Sequence, residues 1–149
     1  MITNISKITI NASPQKVWDA LTLPGLVKQW QYGSELTTDW KPGNPIRFTA
    51  KWQEQVFEQW GTVLEVQPYQ LIAYTLFAPR PGLEDRPEHY FTMRYVLTEN
   101  NGKTELEIRQ LDGRPGAKQE PPQGEENPVL QALKKVAELN ETGPHPVIP

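Results

Sequence analysis

The chain has 149 residues, a formal charge of −3, a pI near 5.4 and no cysteine. That length suits one domain. The acidic balance gives no basic field for nucleic acid or an anionic membrane surface, and the missing thiols exclude disulfides, a cysteine nucleophile and thiolate-bound metal. No apolar run approaches the ~18 residues of a membrane span, and the start, MITNISKITI, lacks the cationic patch and small-residue cleavage site of a secretory signal. A soluble, cytoplasmic, single-domain protein is expected.

Ile5, Ile8 and Ile10 mark a first strand with imperfect alternation. Ser13 suits an N-cap, and Pro14 the first helical position, where no amide hydrogen is needed. Val17, Ala20 and Leu21 then recur at helical spacing beside Trp18, whose plain reading is core filling. Pro24-Gly25 ends or kinks that helix, and Leu26, Val27 and Trp30 make a second short amphipathic turn.

From residue 34 to 112 the period becomes that of strands. Trp40-Lys41-Pro42-Gly43-Asn44-Pro45 is turn chemistry, after which Ile46, Phe48, Ala50 and Trp52 alternate with Arg47, Thr49 and Lys51. Another strand covers Trp60 to Val66, where the run VLEV at 63–66 breaks alternation and predicts a bulge. Pro68-Tyr69 turns the chain into a strand from Leu71 to Phe77, and residues 78–89, with three prolines, read as a long loop.

Asn101-Gly102 between two β runs is the preferred two-residue hairpin turn, because both positions need positive φ. Counting outward from it pairs Leu97 with Leu106, Tyr95 with Ile108, Met93 with Gln110 and Phe91 with Asp112 on one face. The other face pairs Thr98 with Glu105, Val96 with Glu107 and Arg94 with Arg109. The first face is apolar until it finishes on Gln110 and Asp112. Buried polar groups are costly without partners, so that end either opens to water or serves something that sits there.

Residues 113–128 form a Pro/Gly/Glu-rich segment expected to be a mobile loop. Asn127 then caps a last helix with Pro128 at its first position. Val129, Leu130, Leu133, Val136 and Ala137 share one stripe, opposite Lys134, Lys135 and Glu138. The domain is expected to span residues 1–141, and residues 142–149 to be a proline-rich tail. One apolar sheet face and one apolar helical stripe must bury each other. The expected fold is therefore α+β: a curved antiparallel sheet wrapped around a long C-terminal helix, with two short helices closing one end.

The stretches ITINASPQKVWDALTLPGLVKQW, DWKPGN, WGTVLEVQPYQLIAYT and YVLTENNGKTELEI occur in an order that resembles the helix-grip proteins of the START-like (SRPBCC) superfamily. The branch that this sequence is similar to is the one named after the activator of heat-shock protein 90 ATPase. The resemblance implies a deep cavity between sheet and terminal helix that holds an apolar or aromatic small molecule. Two features depart from the pattern. Glu126-Asn127-Pro128 stands where family members often carry a tryptophan, and the preceding loop is unusually rich in proline. The heat-shock activator also has a chaperone-binding domain with no counterpart in this sequence, so a chaperone partner is not expected.

Catalytic chemistry finds little support. Ser6, Ser13 and Ser34 fall in a strand, a cap and a turn, none in a nucleophile elbow. The histidines are His89 and His145, and Glu84, Asp85 and Glu88 before His89 suit a solvated loop better than a ligand set. No metal and no cofactor are expected. Gly113 and Gly116 do not form a phosphate-binding loop.

The aromatics remain. Tryptophans on a concave face make a ligand wall as readily as a core. The expected apolar wall is Trp30, Phe48, Trp52, Trp60, Leu76, Met93, Leu130 and Leu133. Tyr74, Tyr95 and Gln110 would orient a ligand by hydrogen bonding, with Asp112 nearer the mouth. The expected protein is a monomer or weak homodimer that binds a small hydrophobic or aromatic ligand, rather than an enzyme. Two alternatives stand beside it. One is a polyketide-cyclase-like enzyme using Asp112 or His89 as acid–base group, and the other is a chaperone-associated stress-response module.

Overall fold

The computed structural model describes residues 1–139. Strand β1 (Ile2–Ile10) is followed by helices α1 (Pro14–Thr22) and α2 (Pro24–Trp30). Six strands come next: β2 (Glu35–Thr38), β3 (Pro45–Trp52), β4 (Gln55–Gln67), β5 (Leu71–Leu76), β6 (Phe91–Asn100) and β7 (Lys103–Asp112). Helix α3 (Pro128–Glu138) closes the described chain. The expected tail at 142–149, with His145, and the last two residues of the expected domain lie outside the described residues.

All strand pairs are antiparallel, in the order β1-β7-β6-β5-β4-β3-β2. The β6–β7 ladder has the register counted from Asn101-Gly102, pair for pair, and both turn residues have positive φ. The bulge expected in β4 is a register shift between Val63 and Glu65. Nearby, Gly61 passes so close to β5 that a Cβ there would lie 1.8 Å from the carbonyl oxygen of Thr75, which only glycine allows.

The short helices are fixed at their ends. Ser13 Oγ accepts from Lys16 N–H at the start of α1. At its other end, Trp30 Nε1–H donates to the Ala20 carbonyl (2.7 Å) and Trp40 Nε1–H to the Thr22 carbonyl (3.2 Å), satisfying two carbonyls that a helix terminus leaves open. Trp30 thus belongs to α2 by sequence and to α1 by bonding, which locks the pair into one plug. In α3, Asn127 Oδ1 accepts from Val129 N–H and Leu130 N–H, and Leu130, Leu133 and Ala137 are buried. They join Val17 and Val27 of the plug and Ile10, Ile72 and Leu106 of the sheet in one core, each large aliphatic side chain contributing about 1.5–3 kcal/mol.

Two expectations need correction. The strand expected to begin at Trp60 begins at Gln55, because Gln53 and Glu54 form a two-residue hairpin turn with φ of 49° and 67°, a turn that their side chains do not advertise. The segment expected to be a mobile loop is also pinned along β1. Gln123 exchanges backbone hydrogen bonds with Lys7 and Ile5 (2.9 and 3.0 Å), and Asn4 Oδ1 accepts from Glu120 N–H (2.7 Å). Residues 118–123 therefore ride on the free edge of the sheet.

Candidate functional site

A cavity of about 470 Å³ lies between the concave sheet face, the residues that follow α2 and the first turn of α3. Its size falls in the range of small-molecule sites. Strands β3 to β6 send alternate residues into it, and β7 sends one. β3 supplies Phe48 and Ala50, β5 supplies Tyr74 and Leu76, and β6 supplies Phe91, Met93 and Tyr95. Trp30 of α2, Val129 of α3 and Gln110 of β7 add to the wall, as do the polar residues Gln31, Ser34 and Gln59, and the exposed Tyr32 and Phe57 border the opening.

Seven of the residues expected at the site line this cavity: Trp30, Phe48, Tyr74, Leu76, Met93, Tyr95 and Gln110. Five do not. Leu130 and Leu133 are buried in the core beneath α3, and Val129, about 100° back around the helix, faces the cavity instead. Trp52 continues the face of Phe48 and Ala50 but lies past the opening at the hairpin tip, where it is 64% exposed. Trp60 points to the convex side of the sheet. Arg47 stands over its ring at 5.3 Å, Phe77 packs against it, and its Nε1–H donates to Asp85 Oδ2 at 3.0 Å.

Asp112 is the fifth. It is buried, and both its carboxylate oxygens accept from the Arg114 guanidinium at 2.7 and 2.8 Å, while that guanidinium also stands 4.4 Å over the Phe91 ring. The Arg114 hydrogen bonds hold the Asp112 carboxyl below the usual aspartate range. The polar end of this sheet face is thus answered by an arginine two residues along the chain, and Asp112 is not among the cavity-lining residues. His89 sits in the exposed 78–90 segment with Nδ1 on the Glu84 carbonyl oxygen (2.6 Å), and it does not line the cavity either.

Sequence reading missed Phe91, Phe57, Ala50 and Val129, and the more polar Gln31, Tyr32, Ser34 and Gln59, among the lining residues. The hairpin register had already placed Phe91 on the inward face beside Met93, so that one was within reach.

The electrostatics of the cavity are simple. None of its lining side chains is an acid or a base that ionises at neutral pH. Its buried polar groups are the Tyr74 and Tyr95 hydroxyls, 3.2 Å apart, with rings stacked at 6.0 Å. Burial raises the pKa of both, that of Tyr74 well above its ordinary value, so both remain protonated at neutral pH. The half-buried Gln110 amide has no hydrogen-bond partner among the described residues. Among those residues no group of three or more His, Asp or Glu is placed to hold a metal, and no helix is long and apolar enough to cross a membrane.

Comparison with known proteins bears on this arrangement. Residues 11–138 match the family described as Activator of Hsp90 ATPase homolog 1-like protein. No curated protein matches the sequence. Among solved structures, the chain is similar to protein ChR145 from Cytophaga hutchinsonii, with 27% identity over 93% of this chain and 84% of that one at a TM-score of 0.66. Protein CV1439 from Chromobacterium violaceum shares 22% identity over 93% and 98% of the two chains, with a TM-score of 0.72. Protein MLL2253 from Mesorhizobium loti shares 22% identity over 94% and 99%, with a TM-score of 0.69. These likenesses agree with the helix-grip arrangement of sheet and terminal helix.

Proposed function

The chain belongs to the Activator of Hsp90 ATPase homolog 1-like family, and from that premise we propose that it binds a small hydrophobic or aromatic molecule in the cavity between sheet and C-terminal helix. The observation that carries the reading is the cavity itself: about 470 Å³, walled by aromatic and aliphatic side chains, with a few polar groups and no charge. Apolar walls supply affinity through area removed from water, and sparse polar groups fix orientation. In this reading the protein works in the cytoplasm as a monomer or weak homodimer. It carries its ligand without turning it over.

Native mass spectrometry of freshly purified protein is expected to show a retained small molecule. Trp30 in the wall is expected to report rebinding through quenched or shifted fluorescence. Gln110→Leu removes an amide without a partner among the described residues, so it should keep or raise thermal stability while weakening affinity for polar aromatic ligands by about 1 kcal/mol, the scale of one hydrogen bond. Lost stability with unchanged binding of every ligand would make Gln110 a structural residue and put the ligand elsewhere.

A further inference from the structure

Tyr74 and Tyr95 are both buried and both line the cavity, and each hydroxyl has the other as its hydrogen-bond partner among the described residues. Two phenols bring two donated protons. Whichever hydroxyl donates across the 3.2 Å gap, one proton is used and one is left over. A buried donor without an acceptor is costly, and here the surplus proton has only the cavity to turn to.

The wall adds a second constraint. Its lining residues carry no formal charge, and the nearby Asp112 and Arg114 are committed to each other. An ionised ligand would surrender its hydration without an opposite charge to meet it.

Building on the ligand-binding reading above, we infer that the cavity selects uncharged molecules bearing a hydrogen-bond acceptor, such as a ketone carbonyl, which the Tyr74–Tyr95 pair recognises with the one proton it cannot use internally. The two hydroxyls are redundant as donors. Removing either leaves the other with its proton free for the ligand, whereas removing both leaves no phenolic proton, and the unpartnered Gln110 amide then remains as a donor of the wall. The recognition is therefore a property of the pair, and its signature is non-additivity.

Three naphthalenes of matched shape test this by calorimetric titration: 2-acetylnaphthalene, 2-isopropylnaphthalene and 2-naphthoate. The wild-type protein should bind the ketone about 5- to 10-fold more tightly than the hydrocarbon, the equivalent of one hydrogen bond, and the carboxylate more weakly than both. In a Gln110→Leu background, which removes the unpartnered amide donor of β7, Tyr74→Phe and Tyr95→Phe should each keep the ketone preference within about threefold, while the double tyrosine variant should lose it and bind the hydrocarbon as before. A preference that survives in the double variant, or a carboxylate bound as tightly as the ketone, overturns the inference and leaves the cavity reading standing. If none of the three probes binds wild type, both fall together. Should the double variant not fold, the infrared carbonyl band of 2-acetylnaphthalene bound to the Gln110→Leu protein decides. A band shifted to lower frequency supports the donated proton, and one at its position in hydrocarbon solvent refutes it.

Discussion

The two long hairpins of the sheet are built alike and end differently. β3–β4 and β6–β7 each turn on two residues of positive φ, and the first strand of each presents alternate apolar residues on the inward face. On β6–β7 that face is covered as far as the Leu97–Leu106 pair, with Leu106 only 1% exposed and Leu97 also buried. On β3–β4 it runs out into solvent, where Trp52 is 64% and Phe57 52% exposed. Alternation tells which face of a strand looks inward. Whether anything covers that face depends on how far the helical layer extends, and this is a property of other segments of the chain.

Substitutions can break the comparison, most strongly in the covered hairpin. Leu106→Ala should destabilise the domain by about 2–5 kcal/mol, since it empties a fully packed site. Trp52→Ala and Phe57→Ala, at the open tip, should stay within about 0.5 kcal/mol. Chemical denaturation measures all three, and similar costs at the two hairpins would show that the open tip is covered in solution.

The turns come next in size. Gln53 and Glu54 hold a left-handed conformation that costs an ordinary residue about 1–2 kcal/mol, whereas Asn101-Gly102 is suited to it. Replacing Gln53-Glu54 by Asn-Gly should stabilise by about 1 kcal/mol, and Gly102→Ala should destabilise by a similar amount. Thermal melting of the two variants should move in opposite directions. Shifts of the same sign would contradict the conformations assigned to the turns.

The smallest effect concerns the end of β6–β7 remote from its turn. Arg114 holds the Asp112 carboxyl below its ordinary value of 3.8, so folding favours the ionised form. A lowered native pKa gives stability that is fully present above the unfolded value and is lost as pH falls through the native one. The loss should begin below about pH 4. Asp112→Asn should flatten this acid limb of a stability–pH curve, and an unchanged limb would remove the pair from the acid response.

Much of the architecture was legible because it rests on local rules. The Asn101-Gly102 turn set four inward pairs by counting, and Ser13-Pro14 and Asn127-Pro128 announced two helix starts. The site was legible where that register reached it, at Met93, Tyr95 and Gln110. Trp60 shows how the reading failed. Counting back by twos from Val66 puts it inside, but the register shift between Val63 and Glu65 reverses the phase, so Val63 points into the core and Trp60 away from it. The bulge could be anticipated, while its effect on phase depended on which residue it displaced. Asp112 failed for a different reason. Its partner Arg114 lies in a segment with no period from which to place a side chain.

The segment riding on β1 changes how this protein should behave at high concentration. An open sheet has two borders, and each is a potential template on which another chain can extend the ladder into a fibril. Here one border, β2, is only four residues long. The other is occupied by residues 118–123, which include Pro121 and Pro122. Neither proline has an amide hydrogen to offer an incoming strand. Composition alone marks this stretch as loose, yet its prolines make it a terminator: growth of the ladder stops there.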